Sequence, residues 1–317
     1  VTFDATSDIT STSGNVLVAA DNDEAVNGGG SAQGAITMAN GAVINAGSGT
    51  VEMAANEDVT LGGVVTTNAT GSAVTIVSNA AGVVDGGNTD TDIVANSGTV
   101  TIDAVTGVGN VDNIDTQISA LDLDNTTSGD VDINEIDDLD INELDQDAAA
   151  GTVNVDAGGT ITVADGLAGV SALAGQIELD ATGINSNIAV NASVLSTTGD
   201  INVLADNDVT FDATSDITST SGNVVVTADT DGAADSGGSD QGALTMADGA
   251  IINAGIGTVD MDANEDVSVS TVTTSNTVDA TSAVGAIVDN TAAEAANISG
   301  STLDLDAATG IGSGGTL

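Results

Sequence analysis

The sequence predicts an all-β fold, a parallel β-helix (β-solenoid) with about 22–24 residues per coil. Three observations carry this: a long internal repeat, a short strand motif recurring inside it, and a core composition that is aliphatic and thin.

The long repeat comes first. Residues 1–60 return at 209–268, an offset of 208, with about three quarters of the positions identical. Residues 1–10 recur intact at 209–218. A second match relates 99–109 to 302–312. The organisation is therefore repeat A 1–97, repeat B 98–208, repeat A′ 209–300 and the start of repeat B′ 301–317, read as one continuous solenoid over 1–317. The sequence opens at a repeat seam and closes inside a repeat. Because solenoids normally end in polar capping segments, an excerpt of a longer tandem array is expected.

The short motif is Gly, one polar residue, then apolar–polar–apolar, often followed by Asp or Asn. It starts at Gly14, Gly49, Gly98, Gly129, Gly151, Gly175, Gly199, Gly222 and Gly257. Gly98-Thr99-Val100-Thr101-Ile102-Asp103 and Gly175-Gln176-Ile177-Glu178-Leu179-Asp180 are examples. Alternation with period two marks a strand with one buried face. Gly, Asn and Asp at its ends mark tight turns, often with positive φ. The commonest spacing, 22 to 24 residues, is one coil holding about three short strands; gaps of 31 to 49 predict loops, notably at 21–33 and 229–241. Coils stacked about 4.8 Å apart would make a rod on the order of 60 Å long. The best helical candidate is the short stretch 292–296.

The third observation is composition. Hydrophobic residues make up 41% of the 317, nearly all Val, Ile, Leu and Ala, and the only aromatics are Phe3 and Phe211. That suits a narrow core. Phe3, Phe211, Met38 and Met246 fall at equivalent repeat positions and read as core filling. Absence of proline fits strands whose N–H groups all bond to a neighbouring coil.

Charge narrows function. There are 48 carboxylates and no Lys, Arg or His, a formal charge of −48. Nucleic acid and anionic membrane surfaces need basic residues, so neither is an expected partner. No apolar run is long enough for membrane insertion. Without His or Cys there is no nucleophilic triad and no ordinary zinc site. Only carboxylate chemistry remains, of the kind glycosidases use. Sugar sites also need aromatic and basic groups, and Asn88-Thr89-Asp90 reads as a turn, so the chain is not expected to be an enzyme.

The carboxylates themselves are the candidate site. Asp-x-Asp pairs place both side chains on one face of a strand, and stacking brings such faces about 5 Å apart. With no cationic side chain, only protons or bound cations relieve the repulsion. Ca2+, which takes 6–8 oxygens, is the expected cofactor, at several sites. The candidate ligands are Asp21, Asp23 and Glu24 with their repeat counterparts Asp229 and Asp231; Glu57 and Asp58 with Glu265 and Asp266; Asp206 and Asp208; and Asp122, Asp124, Asp130, Asp132, Asp138 and Asp140. The last six lie in the run 112–147, which holds 13 carboxylates. No segment has EF-hand spacing.

Gly199-Asp200-Ile201-Asn202-Val203, Gly129-Asp130-Val131-Asp132-Ile133 and Ala308-Thr309-Gly310-Ile311-Gly312 resemble repeats of the filamentous-haemagglutinin-like large exoproteins, bacterial surface adhesins. The resemblance implies a right-handed β-helix, export to the cell surface and a role in attachment or matrix. The expected function is a structural segment of an extracellular fibre or biofilm matrix filament. Its expected partners are copies of the chain end to end or side by side, and polysaccharide or cell surface. The alternative is the stalk of a large adhesin whose binding tip lies outside this segment.

Overall fold

The structure is a computed structural model that describes residues 1–21, 34–87, 90–230, 242–292 and 296–312. The described residues are all β-strand, turn and bend, with no helix, and they stack as a parallel β-solenoid of about 11 turns. The chain divides into two compact units, Val1–Val155 and Asp156–Leu317. No described helix is long and apolar enough to cross a membrane. Of the predicted helical stretch 292–296, residues 293–295 lie outside the described set, as do most of the two predicted loops.

In the second unit a turn consists of three strands. One is Val209–Phe211, Asp216–Ser219 and Val224–Ala228; the next is Leu244–Met246, Ile251–Asn253 and Val259–Ala263. Each strand pairs in parallel with its counterpart in the next turn, so side chains at one position form a column. Ile177, Ile201, Val224, Val259 and Val278 make one column on the third strand, with Leu179, Val203, Val226, Met261 and Ala280 beside it. All ten are fully buried. Burying each Val, Ile or Leu contributes roughly 1.5–3 kcal/mol, so the columns supply most of the driving force.

The first unit repeats this plan. Thr2–Phe3, Asp8–Thr10 and Val16–Ala20 carry Ile36–Met38, Val43–Asn45 and Val51–Ala55 as their neighbours. These are the strands of 209–263 shifted by the repeat offset of 208. Met38, Met53, Met246 and Met261 are all buried, as expected of core filling.

Coil length departs from the commonest motif spacing of 22 to 24 in both directions. Val259 pairs with Val278 only 19 residues on, whereas Val64 pairs with Ile93, 29 residues on. The turns that carry the predicted loops are longer still. Phe3 pairs with Met38 and Phe211 with Met246, both 35 residues on.

The motif glycines also have a different reason from the expected one. Gly129 does have positive φ, but Gly49, Gly199, Gly222 and Gly257 do not. They are stacked. A Cβ on Gly199 would sit 1.9 Å from the Gly175 carbonyl oxygen, on Gly222 2.0 Å from that of Gly199, and on Gly257 2.0 Å from that of Gly222. Each glycine thus leaves room for the carbonyl of the one before it. Buried serines finish the corner: Ser219 Oγ donates to the Gly199 carbonyl (2.9 Å) and accepts from Gly222 N–H (2.9 Å).

Candidate metal centre

The outward positions of these strands carry the acids, and many of them already give one oxygen to a hydrogen bond inside the fold. The polar residue after the motif glycine accepts the backbone N–H of the next coil. Asp130 Oδ1 takes Thr152 N–H at 2.8 Å, Asp200 Oδ1 takes Asn223 N–H at 2.7 Å and Asn223 Oδ1 takes Thr258 N–H at 2.9 Å. The same role falls to several predicted ligands. Asp58 accepts from Gly82 N–H, Asp208 from Ala243 N–H and Asp266 from Ala286 N–H. Asp206, 7% exposed, accepts from Asn185 N–H at 2.8 Å. Asp and Asn are interchangeable here because each offers one oxygen to one N–H.

A second group is satisfied by side-chain amides, which replace the missing cations. Asn154 Nδ2 donates to Asp132 (3.0 Å), Asn134 Nδ2 to Asp115 (2.7 Å) and Gln117 Nε2 to Asp137 (3.0 Å). In the second unit Asn202 Nδ2 donates to Glu178 at 2.9 Å. Asp229, at φ 71°, lines a shallow cavity with Asp262, Asn264 and Thr281. Asp21 is half-buried at φ 48°, Glu57 and Glu265 are half-buried, and Asp138 and Asp140 are exposed. Asp23, Glu24 and Asp231 lie outside the described residues, as do Asn88 and Thr89.

Among the described residues one acid cluster of three is tight enough for a cation. Ligand oxygens of Asp124, Glu143 and Asp145 all lie within 4.8 Å of one another. The register explains it. Ile141 pairs with Leu121, but Glu143 pairs with Asp122 and Asp145 with Asp124, so Asn142 is an extra, bulged residue. The bulge resets alternation and puts Leu144 into the core while Glu143 and Asp145 face out. Asp122 stands in the same ladder, and Asp103 pairs with Asp124 one turn earlier. Burial first, then the charges of Glu143, Asp103, Asp145 and Asp147, raise the Asp124 carboxyl above its ordinary value. Two charges at this separation repel by about 1 kcal/mol in water and several-fold more at a partly dry surface. Glu143 and Asp145 lie in the acidic run but were not singled out from sequence. Their signal was the match of Asp122-Leu123-Asp124-Asn125 to Glu143-Leu144-Asp145-Gln146.

A similar ladder in the second unit stacks Asp260, Asp279 and Asp304. Burial and then neighbouring acids raise Asp260 and Asp279. Burial, followed by the charges of Asp156 and Glu178, pushes Asp180 up to about 6. Burial also pushes Glu135 up to about 7, although it accepts from Thr116 Oγ1 at 2.8 Å and from Ile118 N–H.

No protein-family model, curated protein or solved structure matches the chain. The filamentous-haemagglutinin-like resemblance therefore rests on the quoted sequence segments alone.

Proposed function

We propose that this chain is a structural segment of an extracellular or cell-surface fibre, with an acidic surface stabilised by divalent cations, Ca2+ foremost. The observation that carries the reading is repetition of architecture: the same three-strand turns occur at 2–55 and at 209–263 with the same pairing steps. A unit that bonds to the next through parallel backbone ladders can be extended by adding turns, which is what a filament needs. The expected partners are further copies of the chain. The Asp124, Glu143 and Asp145 cluster is the favoured outer cation site, with three oxygens from the protein and water completing the set.

Electron microscopy of the native material should show long thin filaments. Discrete globular particles would overturn the fibre reading. A panel of polysaccharides should show no turnover.

A further inference from the structure

The two units place the same corner in the same register but fill it differently. In the second unit Asp289 pairs with Val269 and Ile298 with Val272. In the first, Asp85 pairs with Leu61 and Ile93 with Val64, each partner 208 residues earlier. The backbone agrees as well. Val272 N–H donates to the Asn297 carbonyl at 2.7 Å, and Val64 N–H to the Asp92 carbonyl at 2.7 Å. Asp85 therefore corresponds to Asp289, and Asp92 to Asn297.

In the second unit the corner supplies its own donors. Asn297 Nδ2 donates to Asp289 Oδ1 at 2.8 Å, and Thr291 gives the same oxygen its N–H and its hydroxyl, both at 2.8 Å. The amide nitrogen also reaches the carbonyls of Val269 (3.2 Å) and Ser270 (3.0 Å). In the first unit each of those side-chain donors is gone. Asp92 replaces the amide, and Asp85 is followed by Gly86 and Gly87.

The consequence is visible in the unpaired oxygens, of which the second unit's corner has one, Asn297 Oδ1, and the first unit's corner has three. Asp92 is 0% exposed, and its Oδ2 accepts Asp115 N–H at 3.0 Å. Its Oδ1, and both carboxyl oxygens of Asp85, are buried with no hydrogen-bond partner. Two carboxylates offer each other only acceptors, so something electropositive has to enter. Burial, then the charges and contact of Asp85 and the charge of Asp115, push Asp92 up to about 8 against the pull of the Asp115 N–H. A single proton can bridge one oxygen of each acid, but it leaves the third oxygen unsatisfied. A cation can meet all three, and two carboxylates balance a divalent charge.

We propose that Asp85 and Asp92 form an inner site for one hard divalent cation of the Ca2+ class, in whose place the second unit has the hydrogen bond from the Asn297 amide to Asp289. The proposal does not depend on the fibre reading. The test counts Ca2+ bound per chain by equilibrium dialysis and elemental analysis. About 1 M NaCl, where the Debye length is about 3 Å, suppresses diffuse binding to the outer acids. Asp92→Asn supplies Asp85 with the second unit's amide donor, though not with the Thr291 donors, so it should fold, lose less stability in EDTA than the unaltered chain and bind one Ca2+ fewer. Asp85→Asn should lose the same ion and covers the case in which Asp92→Asn does not fold. An unchanged Ca2+ count in a folded variant would overturn the proposal and leave the pair sharing only a proton.

Discussion

Residues 1–20 and 209–228 are nearly the same sequence in two settings. In the second unit this turn lies between others: Phe211 pairs with Val190 on one side and Met246 on the other, and is 3% exposed. In the first unit, among the described residues, Phe3 pairs with Met38 and is half-buried. Ile217 is 0% exposed, whereas its counterpart Ile9 is half-buried. The strands form in both places, so local sequence sets the backbone path. Burial comes from having a coil on each side. Stability here belongs to interfaces between turns more than to the turns themselves.

Truncating each phenylalanine separates the two settings most strongly. Within these 317 residues Phe211→Ala should cost about 3–5 kcal/mol, the usual range for a buried Phe, and Phe3→Ala, half-buried there, about half as much or less. Urea unfolding of the two variants measures both. Equal losses would mean that coil neighbours do not set burial.

Glycine substitutions should follow the same order. An added Cβ at Gly222 meets a backbone oxygen at 2.0 Å, whereas at Gly14 it meets only Ser11 Oγ at 3.0 Å. Gly222→Ala should therefore destabilise by about 3 kcal/mol, as overpacking against immovable backbone does, and Gly14→Ala by less than about 1 kcal/mol. Chemical denaturation decides between this and the equal effects expected if both glycines served only as turns.

Acidity sharpens the contrast between burial and charge. Glu135 is raised to about 7, Asp180 to about 6 and Asp92 to about 8. In each case the folded state holds the proton more tightly than the unfolded chain. Their contribution is thus complete below the ordinary carboxylate range and is lost as pH rises through about 6 to 8. For fully buried Glu135 the change is on the order of 2–3 kcal/mol. In EDTA the melting temperature should be higher at pH 5 than at pH 8, and a flat or opposite profile would contradict the assignment.

The smallest effect concerns the outer cluster. Glu143→Gln removes one of three mutually repelling charges, so in EDTA it should stabilise by about 1 kcal/mol. Added Ca2+ should then raise the melting temperature less than in the unaltered chain. A full response to Ca2+ in this variant would move the outer site elsewhere.

The parallel coils, the aliphatic columns and the placement of methionine were legible because period-two alternation and a 208-residue repeat both survive in the sequence. The acids were harder. Asp58, Asp130, Asp208 and Asp266 look like ligands in sequence, yet each gives an oxygen to a backbone N–H 20 to 35 residues away. Only the stacking register identifies that partner. Register also hid the Asp124 cluster, because one bulged residue decides which acids share a column. The glycine motif was found by pattern, but its cause is close approach between coils, which appears only once they are superposed.

The long turns carry one more lesson. Before Ile36 and again before Leu244 lies the longest stretch between paired strands, yet all three strands of the next turn advance by the same 35 residues. The alternation resumes unchanged on the far side, so the core is indifferent to how much chain separates one turn from the next. A passenger peptide grafted into 22–33 or 231–241 would recur once per repeat of 208 residues while the described strands kept their phase.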